Sequence, residues 1–180
     1  RRSVQQRIFR SNKINTIMIK TFYEVDIDAD FFKELAELLS IKDESHTIYF
    51  SSNGGDLWLV EPIIKMINDN KERLEIIGVR EISSSALSIF LGAECKKSIT
   101  KNTFATWHEP SFSFSVDSLS KPRNRFYEFK KESIIKGFRK DMEDEYRAWG
   151  VTDDEIKRYK KGEDVYFSYE RFKELINSNK

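Results

Sequence analysis

One cysteine, two histidines, three prolines and seven glycines occur among the 180 residues of this chain. The lone Cys95 cannot close an internal disulfide, and no histidine or second cysteine stands near it, which excludes a structural zinc site of ordinary Cys/His spacing. A buried, inert thiol in a reducing, cytoplasmic setting is the expectation. Neither sign of charge is in excess: 31 basic and 30 acidic side chains leave a formal net charge of +1. Nothing global therefore draws the chain to nucleic acid or to an anionic membrane. No apolar run approaches the roughly 20 residues that cross a bilayer, and the opening RRSVQQRIFR is charged with no apolar region behind it. No signal segment, metal or membrane partner is predicted from these features. Low-complexity linkers and repeats are also missing, so the length fits one domain with its own core.

What is present alternates between two periodicities. Residues Ile14 to Val25 (INTIMIKTFYEV) are rich in Ile, Thr and aromatics and read as a strand or strand pair. DADFFKELAELLS then spaces Phe31, Leu35, Leu38 and Leu39 along one helical face behind acidic residues suited to a first turn. HTIYF is a strand ending in SSNGG, and Val60, Ile63, Ile64 and Ile67 mark the next helix, with Pro62 in its first turn. LEIIGV is a strand, SSSALSIFLGAE a small buried helix, and KKSIT and TFATW further short strands. This β, α, β, α, β order implies parallel strands with helical crossovers, an α/β core. Phe126, Phe129, Phe138, Met142, Tyr146 and Trp149 recur at helical steps, predicting a long amphipathic helix from about 122 to 149 that Gly150 ends. A capping box, Thr152 to Glu155, opens another helix, and DVYFS and YERFKELIN close the chain as strand and helix. The charged KPRNR within this region reads as a solvated face.

Few residues could carry chemistry. His46, in the polar KDESH, is expected in an exposed loop. His108 follows the apolar TFATW and so stands at a strand end, where parallel sheets present functional groups. Three serines, Ser83, Ser84 and Ser85, stand where an extended segment meets a helix. One of them either caps the helix or is exposed on the turn, with the next amide pointing to the same place. The pair Gly54 and Gly55, between strand and helix, is either a tight turn or a site where amide protons approach a substrate. A hydroxyl nucleophile, an imidazole base and backbone donors together are what acyl transfer requires.

In this order, YFSSNGG, SSALSIFLGAE and TWHEP resemble the proteolytic subunit of Clp protease and its relatives of the Clp/crotonase fold, including shorter phage forms. The resemblance covers about residues 22 to 149 and, more loosely, the remainder. It implies a repeated β-β-α superhelical core, about residues 14–110 and 151–180 of a single domain spanning 1–180, with a protruding handle helix at about 122–149. It implies a serine endopeptidase acting on peptides inside a homo-oligomeric, stacked ring, with no cofactor. Any ATP would be used by a separate unfoldase, since the chain has no GxxxxGK[ST] pattern. Relatives with the shorter connection separate serine and histidine by the same 23 positions that lie between Ser85 and His108. Ser85 is thereby the nucleophile, with Ser84 the runner-up. His108 is then the base, and the amides of Gly54 and Ala86 are the oxyanion donors. GDLW and the residues after it would wall the groove in which an extended peptide docks.

The departures fall on the acid. The ungapped match puts Tyr159 where the family has aspartate, and tyrosine supplies no negative charge to an imidazolium. Asp164 is taken as the orienting acid instead, with Glu163 its neighbour. Glu81 and Asn53 replace a glycine and a proline of the family pattern. Two other readings follow: a member of the fold that has lost activity and serves in assembly, and a crotonase-like acyl-CoA enzyme, which would not need the Ser85 and His108 pair.

Overall fold

The structure, a computed structural model, describes residues 7–9, 17–110 and 124–178. Among them seven strands join in one sheet. Strand β1 (Arg7–Phe9) lies antiparallel on β2 (Ile17–Phe22), which pairs in parallel with β4 (Ser45–Ser52). Next comes β6 (Leu74–Ser83), parallel to β4, to β7 (Lys96–Ile99) and to β8 (Phe104–Trp107). The antiparallel β9 (Val165–Phe167) closes the far edge on β8. Two short extended segments, β3 (Asp26–Ile27) and β5 (Gly54–Gly55), pair in parallel beside it. The predicted strand over 14–25 is thus β2 alone, and its first residues fall outside the described set. The glycine pair is extended rather than a simple turn.

Helix α1 (Ala29–Ser40) begins where the Asp28 carboxylate accepts the Phe31 amide at 2.8 Å, and it buries Phe31, Leu35, Leu38 and Leu39. Helix α2 (Val60–Asn68) follows a short 3-10 turn and buries Ile63 and Ile67. Pro62 sits in the first turn of α2, where no amide proton is needed. Helix α3 (Ser85–Gly92) is buried from Ser85 through Leu91, which explains its lack of a polar face. Side chains from these helices meet the sheet in a core that includes Phe22, Phe31, Phe50, Ile67, Ile76 and Ile89. Cys95 is buried as expected, and burial pushes its thiol up to about 11.

The long helix is α4 (Asn124–Ala148); the expected start at Pro122 and the side chains of Phe126 and Phe129 lie outside the described residues. Most of KPRNR lies there too. Helix α5 (Asp153–Lys160) has the predicted capping box, and Arg171 of α6 (Tyr169–Ser178) ties it down with bonds of 2.8 Å to Glu155 Oε2 and to the Gly150 carbonyl. One aromatic stack joins these parts to the sheet. Trp107 lies between Tyr146, 4.2 Å away at 7°, and Tyr159, 3.9 Å away at 6°.

His46 departs from expectation. It is 1% exposed and belongs to β4, with Nε2 3.2 Å from the Ile41 carbonyl and 2.9 Å from Arg73 Nη1. Arg73 also donates to the carbonyls of Leu39, Ile41 and Glu44, so one guanidinium gathers the end of α1 and the start of β4. The polar KDESH pattern gave no sign of this long-range partner. Burial, helped by the nearby Arg73 charge, lowers the imidazole's proton affinity.

Candidate active site

Strands β6 and β8 run in parallel, so the residues that follow their carboxyl ends emerge at one edge of the sheet. The two chains are stitched there: the Ser84 amide donates to the Thr106 carbonyl at 2.9 Å, and the Thr106 amide donates to Ser83 Oγ at 3.1 Å. Ser84 and His108 therefore leave neighbouring strands side by side. Among the described residues, no hydrogen bond joins them.

At Ser84 the chain turns from strand to helix with φ 56° and ψ −133°. A non-glycine residue held there is strained by about 1–3 kcal/mol. The strain has a geometric effect, because a sharp turn of this kind lifts the side chain off the end of the sheet, and the amides that follow open a helix. Ser84 is half-buried, while Ser85, the serine expected from spacing, is 0% exposed with its Oγ lacking any hydrogen-bond partner. Of the two hydroxyls, that of Ser84 is the more accessible. The amide that follows it, that of Ser85, stands at the first position of α3, where no intrahelical acceptor exists, and the Ala86 amide is next along the helix.

Gly54 meets this turn directly. A Cβ placed on it would stand 2.5 Å from Ser84 Cβ and 3.0 Å from Ser84 Oγ, and its φ of +113° is one that side chains rarely adopt. Glycine is required there by both contact and conformation. The Gly54 amide, expected to face an oxyanion, donates to Ser52 Oγ at 3.1 Å. A substrate carbonyl would have to displace that hydroxyl. Gly55 packs on the main chain of Ile27, where a side chain would overlap the carbonyl. Beyond the pair, Trp58 is 71% exposed, with its amide held by Asp56 Oδ1 at 2.9 Å.

His108 is half-buried, and its Nδ1 lies 2.9 Å from the Glu109 carbonyl. The acids are arranged around it without touching it. Extending the β8/β9 register of Trp107 with Val165 by one residue sets Asp164 opposite His108. Asp164 is nevertheless exposed, and its contact with Arg158 is through its own carbonyl, at 3.3 Å. Glu163 Oε2 lies 3.2 Å from Arg158 Nε. Tyr159 is 1% exposed on the Trp107 stack, its hydroxyl unpartnered and pushed up to about 12 by burial. No group of three or more metal-ligating side chains occurs among the described residues. What the arrangement offers is a serine on a strained turn, a neighbouring imidazole and a helix-opening amide.

No protein-family model matches the chain, and no curated protein matches its sequence. Solved structures do match. ClpP1 from Listeria monocytogenes superposes with a TM-score of 0.62 at 20% identity, over 87% of this chain and 86% of that one. A mutant of ClpP1 from the same organism gives 0.61 at 19% identity, over 90% and 94%. A likeness of this extent establishes the fold, a mixed α/β architecture with a mostly parallel sheet like that of the Clp proteases.

Proposed function

We propose that this chain is a single Clp-like domain with serine peptidase activity, and that Ser84 rather than Ser85 is its nucleophile. The observation that carries the reading is the strained Ser84 turn with Gly54 packed against it. Ser84 Oγ attacks the peptide carbonyl as His108 Nε2 takes its proton, and the carbonyl oxygen becomes an oxyanion facing the Ser85 amide. The Gly54 amide joins it when Ser52 gives way. Collapse of the intermediate breaks the C–N bond, the imidazolium returns its proton to the leaving amine, and water then hydrolyses the acyl-serine by the same steps. Copies of the chain would form a stacked ring around a chamber, contacting through α4, with unfolded protein delivered by a separate ATP-dependent unfoldase.

A fluorophosphonate probe tests the chemistry, with peptide mapping of the modified residue. Labelling on Ser84, abolished in Ser84→Ala and retained in Ser85→Ala, is the expected result. Labelling on Ser85 would return the assignment to that residue, and an unlabelled parent protein would remove the peptidase reading. Sedimentation tests the assembly separately: a particle of one copy is incompatible with a chamber. A second reading, an inactive member of the fold that serves in assembly, is favoured by Tyr159 occupying the stack and by the missing bond between Ser84 and His108.

A further inference from the structure

The activity of Ser84 depends on which nitrogen of His108 carries the proton, and one of them faces a main-chain acceptor. Nδ1 lies 2.9 Å from the main-chain carbonyl of Glu109. A carbonyl oxygen only accepts, so the neutral ring holds its proton on Nδ1 and keeps Nε2 as the bare, basic nitrogen. A general base beside a serine needs that tautomer, which in a three-residue site a carboxylate enforces.

The carboxylates around the strand end are committed elsewhere. Glu109 Oε2 pairs with Arg139 Nη2 at 3.0 Å, Glu143 with Lys160 at 2.6 Å, and Glu163 with Arg158 at 3.2 Å. Asp164 is exposed and makes no hydrogen bond with His108. On the side of α5, the neutral ring of Tyr159 is stacked on Trp107, the residue that precedes His108. The Glu109 peptide is itself held, since its side chain is clamped by Arg139 of α4.

We infer, resting on the peptidase reading above, that the main-chain carbonyl of Glu109 orients His108 and that no carboxylate takes part, so that Ser84 and His108 act as a dyad. The carbonyl selects the tautomer but brings no negative charge to the imidazolium formed during attack. The dyad is therefore a slower acylating unit than a triad, with its orienting group supplied by the backbone and only indirectly by side chains. Glu109 and Arg139 are positioning residues in this scheme, acting on the carbonyl rather than on substrate.

With only two histidines in the chain, nitrogen-15 labelling of histidine reads the tautomer directly, and His108→Gln assigns the signals. At mildly alkaline pH the His108 ring is expected as the Nδ1–H form, unchanged in Asp164→Asn and Glu163→Gln. Arg139→Gln, which releases Glu109, is expected to add Nε2–H form and to slow fluorophosphonate labelling together. Labelling in Asp164→Asn should stay within about twofold of the parent across the pH profile, against the roughly 10⁴-fold loss that accompanies removal of an orienting aspartate. An Nε2–H ring in the parent, or a large loss in Asp164→Asn, would overturn the inference. The Nδ1–H form in a protein that no probe labels would retain the orientation by Glu109 while removing the peptidase reading.

Discussion

Gly54 and Ser84 constrain each other atom against atom. Gly54→Ala puts a methyl group 2.5 Å from Ser84 Cβ at a φ of +113°, so the turn must move or the β3/β5 pair must open. The expected outcome is loss of labelling at Ser84 together with about 1–3 kcal/mol of destabilisation, measured by urea denaturation. Unchanged labelling and stability would show that this contact does not hold the turn. The glycine pair stood out in sequence as either a tight turn or a donor site, because few glycines are present and two are adjacent, but its packing against Ser84 left no signal. The choice among three consecutive serines was not legible. It depends on which residue takes the positive φ, and that is set by β6 pairing with β8, a contact between distant parts of the chain. The Ser52 hydroxyl on the Gly54 amide and the Glu109 carbonyl on His108 left no signal either: the first serine is one of several, and the second group is main chain.

Helix α3 shows the same dependence one level up. Its first residue follows Ser84, and at its other end Lys97 Nζ donates to the Leu91 carbonyl at 2.8 Å, satisfying an acceptor that the helix leaves open. Burial pushes this ammonium down from 10.5 to about 8, with nearby Cys95 and Glu94 drawing it partly back. The folded state thus disfavours the charged lysine, and its penalty is complete below about pH 8. From about pH 8 to 9, stability should rise as the folded lysine loses its proton. Above about 9, Cys95 acts in the opposite sense, because its thiol titrates from 9.0 when unfolded but only near 11 when folded, and the rise should flatten. Urea midpoints measured against pH would show this shape in the parent, with the rise lost in Lys97→Met and the flattening lost in Cys95→Ala. A parent curve level from pH 8 to 9 would sink the assignment. Apolar spacing revealed α1, α2 and the long α4, since α1 and α2 each bury one face and α4 buries Met142 and Tyr146. Helix α3 was legible for another reason, an unbroken run of small and apolar residues. His46 was misplaced because its burial is arranged by Arg73, which lies 27 positions away (73 − 46).

For the molecule as a whole, the Trp107 stack is the joint between the sheet and helices α4 and α5. Trp107→Ala removes a fully buried side chain and its contacts with both stacking partners, so a loss of about 3–5 kcal/mol is expected, with the melting temperature as the readout. A change below about 1 kcal/mol would mean that α4 and α5 are held by other contacts. The parallel order of the sheet was readable from alternating strands and helices. The antiparallel β1 and β9 at its two edges were less so, because strands of three residues carry little pattern. The β9 pairing also sets an order in time. It joins Ala105 to Phe167, 62 positions apart (167 − 105), and loops of this length close late in folding. During synthesis the chain has finished Ser84 and His108 long before the strand that completes their edge of the sheet exists. The edge of the sheet that carries Ser84 and His108 is therefore completed only after β9 has emerged and closed on β8.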